Sequence, residues 1–201
     1  MIAIITGDII NSRKVKSEIW LPQLKDYFTK TIKNKHNWEI YRGDSFQLEI
    51  ELKRALEIVL IIKALIKSNS KIDVRMSIGI GNKSFEGSKI TESNGTAFIN
   101  SGESFEKLKN DTLIIKTPFE EFDEYFNPIL KLVSFITDNW KPATANTIFY
   151  SLNHQNLLQK EIAEILNKDS TTISKALKRG AYDELNQIIN LYTKKISKCL
   201  N

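Results

Sequence analysis

The chain of 201 residues has very few of the side chains that build disulfide or zinc scaffolds. It contains one cysteine, Cys199, and two histidines, His36 and His154. A single cysteine excludes an internal disulfide framework and a cysteine-rich zinc site. Two histidines also supply a histidine-based zinc site poorly. The sequence therefore argues against disulfide-stabilised and zinc-dependent classes of protein.

Long hydrophobic runs are also missing. The most apolar stretch, residues 56–66, is interrupted by Glu57 and Lys63 and is too short to cross a bilayer. Residues 1–5 lack the basic leader and small-residue cleavage site of a signal peptide. We therefore expect a cytoplasmic protein with no membrane partner.

The composition is that of a folded protein with an uneven charge distribution. Hydrophobic residues make up 41% and charged residues 26% of the chain, which excludes wholesale disorder. The net charge of +5 divides into +5 for residues 1–117, −4 for residues 118–140 and +4 for residues 141–201. Two basic segments flanking an acidic one suit phosphate-bearing partners at both ends of the chain.

The same boundaries separate two kinds of pattern. Before Pro118 the residues predict, in order, a strand, a helix, a hairpin, a helix, a strand, a helix and a strand. Antiparallel pairing with the helices on one face of the sheet follows most simply, giving an α+β domain over residues 1–117. Residues 118–140 predict an acidic connecting helix that is bent or interrupted at Pro128. Residues 141–201 predict four further helices.

The strongest local pattern lies in residues 159–180, which read QKEIAEILNKDSTTISKALKRG. Two short helices with narrow apolar faces are separated by a polar turn, and Asp169 or Ser170 can cap the second helix. The outward side chains of that helix are hydroxyls followed by cations: Ser170, Thr171, Thr172, Ser174, Lys175, Lys178 and Arg179. Hydroxyls can meet phosphates or base edges, and the cations neutralise phosphates.

This segment resembles the helix-turn-helix of bacterial transcription regulators. The resemblance predicts a DNA-binding domain over residues 141–201, with the second helix in the major groove. Because one such unit reads only a half-site, a homodimer is expected. The alternative is a helical hairpin used only for packing or dimerisation.

Two aspartates in the first half form a candidate metal site. Asp8 follows the first strand in TGDIINSR, and Asp44 lies at the hairpin tip in RGDSFQ. If the first strand pairs beside the hairpin, both carboxylates meet at one end of the sheet, where Mg²⁺ needs oxygen ligands and substrate phosphates. The alternative is that each aspartate only caps a turn.

Residues beside these aspartates form a candidate phosphate site. Asn11, Ser12 and Arg13 can hold phosphates through backbone N–H groups and a guanidinium, and Arg42 on the hairpin can add a second cation. The alternative interpretation of residues 11–13 is a surface turn.

The first half resembles the palm-type catalytic domain of class III nucleotide cyclases and diguanylate cyclases. In those families one metal aspartate ends the first strand and another lies on the following hairpin, as Asp8 and Asp44 do. The resemblance implies that the backbone carbonyl of Ile9 is a third metal ligand. Residues 74–81, VRMSIGIG, and residues 95–97, GTA, resemble the later strand of these domains and the start of the next helix.

The whole chain resembles the SatD family. The resemblance rests on G-D-I-x-x-S-R at residues 7–13, G-D-x-F-Q at residues 43–47, the G-I-G strand and the C-terminal helix-turn-helix. It implies a ferredoxin-like, palm-type α+β domain followed by an all-α helix-turn-helix domain. Together with the candidate metal site and the candidate DNA-binding helix, this architecture predicts a DNA-binding transcriptional regulator that binds a nucleoside triphosphate or cyclic nucleotide through Mg²⁺.

An enzymatic alternative stays open at this point. The chain could instead be a Mg²⁺-dependent nucleotidyl transferase or nucleotide cyclase with a helical recruitment domain. Class III cyclases carry an Asn and, four residues later, an Arg on the helix after the last motif. Here Asn100 is one position out of step and Ser104 stands four residues further on, so the usual transition-state arginine is not found.

Overall fold

The computed structural model describes residues 1–109 and 111–200. Five strands form a single sheet: β1 (Ile2–Ile10), β2 (Trp38–Tyr41), β3 (Ser45–Ile50), β4 (Asp73–Gly81) and β5 (Leu113–Lys116). The α-helices of the sheet-forming half are α1 (Ser17–Thr31), α2 (Ala55–Ser68) and α3 (Thr96–Lys107). The rest are α4 (Glu120–Asp138), α5 (Pro142–Asn153), α6 (Gln159–Ile165), α7 (Ser170–Arg179) and α8 (Tyr182–Cys199).

Strand β1 lies at the centre of a mixed sheet with the order β2-β3-β1-β4-β5. It runs antiparallel to β3 on one side and to β4 on the other, whereas β5 pairs parallel with β4. The predicted order of strands and helices and the α+β class are confirmed.

The two faces of the sheet carry different helices. Ile5 of β1 belongs to the main hydrophobic core together with α1 and α2, whereas Ile4 packs with Ala97 and Phe98 of α3 in a second, smaller cluster. The expectation of a purely antiparallel sheet with all helices on one face is therefore wrong. Parallel strands need a crossover, and α3 makes the crossover from β4 to β5 over the face that α1 and α2 leave open.

Small residues on β4 let α3 approach closely. A Cβ on Gly79 would lie 2.3 Å from the carbonyl oxygen of Ala97, and the hydroxyl of Ser77 donates a hydrogen bond to the carbonyl of Ser101 at 2.8 Å. The larger even-numbered residues of β4 point to the main core instead. The G-I-G sequence of this strand is thus a packing requirement of the α3 face.

Helix α2 is buried on nearly all sides. Eleven of its 14 residues are buried, because it packs between the sheet and α5. Buried side chains from both halves of the chain, such as Leu56 of α2 and Ile148 of α5, belong to one continuous hydrophobic cluster. The domain boundary near Pro118 stays a prediction, and the halves that it separates share a core.

Within residues 1–109 and 111–200, no helix combines the length and the apolar character that a bilayer span requires.

Helix α4 is continuous across Pro128, so of the two predicted outcomes there, a bend or an interruption, the interruption is wrong. Proline cannot donate to the carbonyl four residues earlier, which belongs to Glu124. Glu124 is exposed, so water can bond that carbonyl in place of the missing donor. The helix also does more than connect two halves, because it buries Phe122 and Phe126 in the main core.

A buried lysine ties α2 to β4 and to the end of α4. The Nζ of Lys63, a fully buried side chain, lies 2.6 Å from Asp73 Oδ1 and 2.5 Å from Asp138 Oδ1. It also donates to the Thr112 hydroxyl at 3.1 Å. Lys67, one turn later, bridges Asp73 Oδ2 at 3.1 Å and the backbone carbonyl of Asp138 at 2.6 Å. This lysine–aspartate cluster links the sheet to the helical half of the chain.

Candidate functional site

The two motifs that contain the candidate metal ligands are cross-strand partners. In the register of β1 and β3 the pairs are Thr6 with Gln47, Gly7 with Phe46, and Asp8 with Ser45. The Gln47 side chain donates to the Thr6 hydroxyl at 3.3 Å, and the Phe46 ring lies over Gly7. The spacing of both motifs therefore follows from one antiparallel strand pair.

This pairing brings Asp8, Ile9 and Asp44 together at one end of the sheet. The backbone carbonyl of Asp44 accepts a hydrogen bond from the Ile9 N–H at 3.1 Å. Asp8 is the next residue back along β1 and lies opposite Ser45, the residue after Asp44, so the prediction that Asp8 follows the first strand is wrong. In an extended strand the carbonyl of a residue points to the same side as its N–H, so the Ile9 carbonyl also faces the hairpin.

The Asp8 carboxylate is held by two neighbours. Its Oδ1 accepts a hydrogen bond from the Ser45 hydroxyl at 3.1 Å, and its Oδ2 pairs with Arg75 Nη2 at 3.3 Å. Arg75 comes from β4, and its guanidinium lies 4.9 Å from the centroid of the Phe105 ring on α3. The side chain of Asp8 is 24% exposed and that of Arg75 is 39% exposed, so solvent reaches the pair.

The Asp44 carboxylate is bonded by a residue that we predicted to contact nucleotide. Ser12 donates its hydroxyl to Asp44 Oδ2 at 2.6 Å, which ties the turn after β1 to the hairpin tip. Asn11 begins this turn with a left-handed backbone (φ 60°), a conformation that asparagine tolerates. Arg13 and Arg42 are exposed near the same end of the sheet.

The residues at this end of the sheet are of the oxygen-ligand types that Mg²⁺ uses. Asp8 and Asp44 supply two partly exposed carboxylates, and Ile9 supplies a backbone carbonyl. In the described part of the chain, no group of three or more His, Cys, Asp or Glu side chains could hold a metal ion. A site of this kind needs no such group, since Mg²⁺ is often held by one or two carboxylates, with waters and substrate phosphates as the other ligands.

Arg75 is the residue of this site that the sequence reasoning missed. In the sequence it lies between Val74 and Met76, two apolar residues whose alternation predicts a strand and does not mark a site residue. The sequence feature that could have identified Arg75 as a site residue is its charge in the interior of a strand made otherwise of apolar and small residues. The structure places it beside Asp8 because the β1–β4 register pairs those two residues directly.

The side chains at the two positions compared with the cyclase Asn and Arg form hydrogen bonds elsewhere. Asn100 donates its side-chain amide to the Ile80 carbonyl at 2.8 Å, and Ser104 donates its hydroxyl to the Asn100 carbonyl at 2.6 Å. Ser104 is also buried, with 2% of its surface exposed. Asn100 thus fastens α3 to β4, and the Ser104 hydroxyl bonds backbone carbonyls of its own helix.

The second candidate site is the outer surface of α7. Its inward residues Ile173, Ala176 and Leu177 are buried in the helical half. All seven residues predicted to contact DNA are exposed, and they are Ser170, Thr171, Thr172, Ser174, Lys175, Lys178 and Arg179. The helix therefore presents hydroxyls near its start and cations near its end on a surface that solvent reaches.

The turn before α7 has specific backbone chemistry. Asn167 adopts a left-handed conformation (φ 50°), which lets the chain reverse between α6 and α7. Asp169 caps α7 by accepting hydrogen bonds from the Thr172 N–H at 2.8 Å and the Thr172 hydroxyl at 2.5 Å. These hydrogen bonds hold the pKa of the Asp169 carboxyl below its usual value. The Thr172 hydroxyl donor is thus used for capping, which leaves its oxygen as an acceptor.

A groove of about 810 Å³ lies apart from both sites, between α1 and α5. It is lined by aromatic and amide side chains that include Tyr27, Phe149 and Asn146. None of the predicted metal, nucleotide or DNA residues lines it.

Comparisons of the chain with protein-family models, with curated proteins and with solved structures find no match.

Proposed function

We propose that this protein is a DNA-binding transcriptional regulator of the SatD type. In this proposal α6 and α7 are a helix-turn-helix, and the palm-type sheet binds a nucleoside triphosphate or a cyclic nucleotide with Mg²⁺ at Asp8 and Asp44. The observation that carries the DNA-binding part is the surface of α7, where three apolar residues are buried and every candidate DNA-contacting side chain is exposed.

The topology supports the palm-type interpretation of the sheet. The order β2-β3-β1-β4, with α1 after β1 and α2 after β3, is the β-α-β-β-α-β arrangement of ferredoxin-like domains. Asp8 and Asp44 lie at one end of its central strands. When bound there, Mg²⁺ supplies positive charge to phosphate oxygens, and the protein's own part is to position Asp8, Asp44 and the Ile9 carbonyl around it.

A physical connection exists between this end of the sheet and the helical half. Asp73 begins β4 and pairs in register with Ile10, two residues beyond Asp8 on β1. Lys63 and Lys67 join Asp73 to Asp138 at the end of α4. In our proposal a ligand bound at the sheet changes the presentation of α7 through this lysine–aspartate cluster and the shared core.

We also propose a homodimer, in which two copies of α7 read two half-sites. Leu132 and Phe135 on the outer side of α4 are 67% and 72% exposed, which is unusual for large apolar side chains. They lie one turn apart on the same helix and supply a surface for self-association.

The test of DNA binding is a gel-shift assay on genomic fragments at low salt. We expect a shifted complex whose affinity changes when ATP or GTP is added with Mg²⁺. Absence of any shifted fragment at low salt would overturn the proposal.

The second candidate function is a Mg²⁺-dependent nucleotidyl transferase or nucleotide cyclase. One observation favours this function: the guanidinium of Arg75 lies beside Asp8. It places a cation at the site, although the chain has Ser104 where the cyclase resemblance predicts an arginine. The test is product formation from each of the four nucleoside triphosphates with Mg²⁺ or Mn²⁺. Turnover that Asp8→Ala and Asp44→Ala both abolish would support it, and no turnover with any of the four would eliminate it.

A further inference from the structure

We infer that Arg75 is the residue that binds the ligand's phosphate chain, and that its ion pair with Asp8 keeps a metal ion from binding well until those phosphates arrive. This inference rests on the proposed metal–nucleotide site and names the side chain that couples its two ligands. It predicts that metal and triphosphate bind cooperatively.

The first step of the argument is the unused donor capacity of Arg75. A guanidinium carries five N–H donors in a planar fork. In the described part of the chain its one side-chain acceptor is Asp8 Oδ2, contacted by Nη2 alone at a long 3.3 Å. This single contact differs from the short, bidentate pair that arginine forms with a carboxylate when both are optimally placed. Within residues 1–109 and 111–200 the other donors have no hydrogen-bond acceptor, so they can bind a phosphate.

The second step is that the guanidinium is held in place and still accessible. It lies 4.9 Å from the centroid of the Phe105 ring, a cation–π arrangement that fixes its plane against α3. With 39% of the Arg75 side chain exposed, an anion can approach it from solvent. An arginine oriented in this way loses less side-chain entropy when it binds phosphate.

The third step is electrostatic. A divalent cation bound to Asp8 would lie close to the Arg75 guanidinium, because both contact the same carboxylate. The two cations would therefore repel each other. Without an added anion, Arg75 already neutralises Asp8. A triphosphate removes both obstacles, because its oxygens pair with Arg75 and also complete the metal's ligand shell. Each ligand therefore raises the affinity for the other, and this coupling is reciprocal.

The experiment uses two separate binding measurements on the full chain. Mn²⁺ alone is titrated by electron paramagnetic resonance, and Mg²⁺–tripolyphosphate is titrated by calorimetry, which needs no knowledge of the base. For Arg75→Gln we expect Mn²⁺ alone to bind roughly tenfold more tightly, because the competing positive charge is gone. We expect Mg²⁺–tripolyphosphate to bind roughly tenfold more weakly, because one charge-assisted hydrogen bond is lost. A purely structural role of Arg75 would not move the two affinities in opposite directions.

Two further variants keep the outcome interpretable. Arg75→Lys keeps the charge but loses the fork, so Mn²⁺ affinity should stay unchanged while tripolyphosphate affinity falls; it also carries the test if Arg75→Gln does not fold. Arg54→Gln removes an exposed arginine that pairs with Glu57, and it should change neither affinity. Equal or weaker Mn²⁺ binding by a folded Arg75→Gln, or unchanged Mn²⁺ and tripolyphosphate affinities in a folded Arg75→Lys, would overturn the inference. Metal binding by the wild type that is insensitive to Asp8→Ala and Asp44→Ala would instead overturn the proposed site itself.

Discussion

Gly7 of β1 and Phe46 of β3 face each other across the central strand pair, and the Phe46 ring occupies the space in which a Gly7 side chain would begin. A Cβ on Gly7 would lie 2.2 Å from Phe46 Cζ, far inside van der Waals contact. The ring itself is fully buried against α1, where it lies 5.4 Å from the ring of Phe28. Gly7 is thus required by the packing that places Asp8 beside Ser45.

Gly7→Ala should destabilise the protein by about 1–3 kcal/mol, because the buried ring has to move to make room. Chemical denaturation measures the change in the free energy of unfolding. The matched control is Gly102→Ala in the middle of α3, where a Cβ meets nothing within 4 Å and where alanine should stabilise the helix by up to about 1 kcal/mol. Equal effects of the two substitutions would contradict the packing account.

Much of the fold could be predicted because it depends on local patterns. A short apolar run locates β1, and alternating residues around the Gly43–Asp44 turn locate the hairpin. The pairing of β1 with the hairpin brings Asp8 and Asp44 to one end of the sheet. The helices around residues 159–179 follow from their apolar spacing and the Asp169 cap, as the structure confirms.

The features that were missed depend on contacts between distant segments. The position of α3 is set by the absence of side chains at Gly79 and Gly81, which local patterns do not connect to a helix 15 or more residues away. Arg75 lies within a largely apolar strand pattern, and its ion pair with Asp8 depends on the register between β1 and β4. Likewise, the bond of Ser12 to Asp44 joins residues 32 positions apart.

The lysine–aspartate cluster should contribute strongly to stability. Lys63→Met removes the buried cation that pairs with both Asp73 and Asp138, while the Lys67–Asp73 pair remains, and we expect a cost of roughly 3 kcal/mol of unfolding free energy. Urea denaturation of the full chain measures this. Lys30→Met, which breaks the exposed Lys30–Asp26 pair, is the control and should change stability by less than about 1 kcal/mol. A loss below about 1 kcal/mol for Lys63→Met would show that the cluster does not hold the halves together.

Self-association should depend on the outer side of α4. The double substitution Leu132→Glu and Phe135→Glu places charges on two exposed positions, so it should shift a dimer to monomer without loss of helical content. Sedimentation velocity gives the mass, and circular dichroism reports the fold. Ile19→Glu, at a 50% exposed position of α1, is the control and should leave the mass unchanged. A wild type that sediments as a monomer at high concentration would contradict the proposed dimer.

Because α7 is capped by an ionised aspartate, Asp169, the stability of the protein should depend on pH. Hydrogen bonds from Thr172 lower the pKa of Asp169 in the folded protein, so the stabilisation is present above the ordinary aspartate pKa near 3.8 and is lost as the pH falls through the lower folded value. Asp169→Asn keeps a side-chain oxygen as the cap but cannot ionise. Thermal melts from pH 7 to pH 2 should show the wild type losing stability relative to Asp169→Asn only at the acidic end. A constant difference over the whole range would exclude an ionised cap.

The measurement that tests the central claim most directly is the salt dependence of DNA affinity for α7 variants. Fluorescence anisotropy on a selected genomic fragment should show that Lys175→Ala and Lys178→Ala each weaken binding and each reduce the slope of log affinity against log salt by about 1. The control Lys30→Ala, an exposed lysine on α1, should change neither quantity. Binding that these α7 substitutions leave unchanged, or the absence of DNA binding by the wild type at low salt, would contradict the assignment of α7 as a DNA-reading helix.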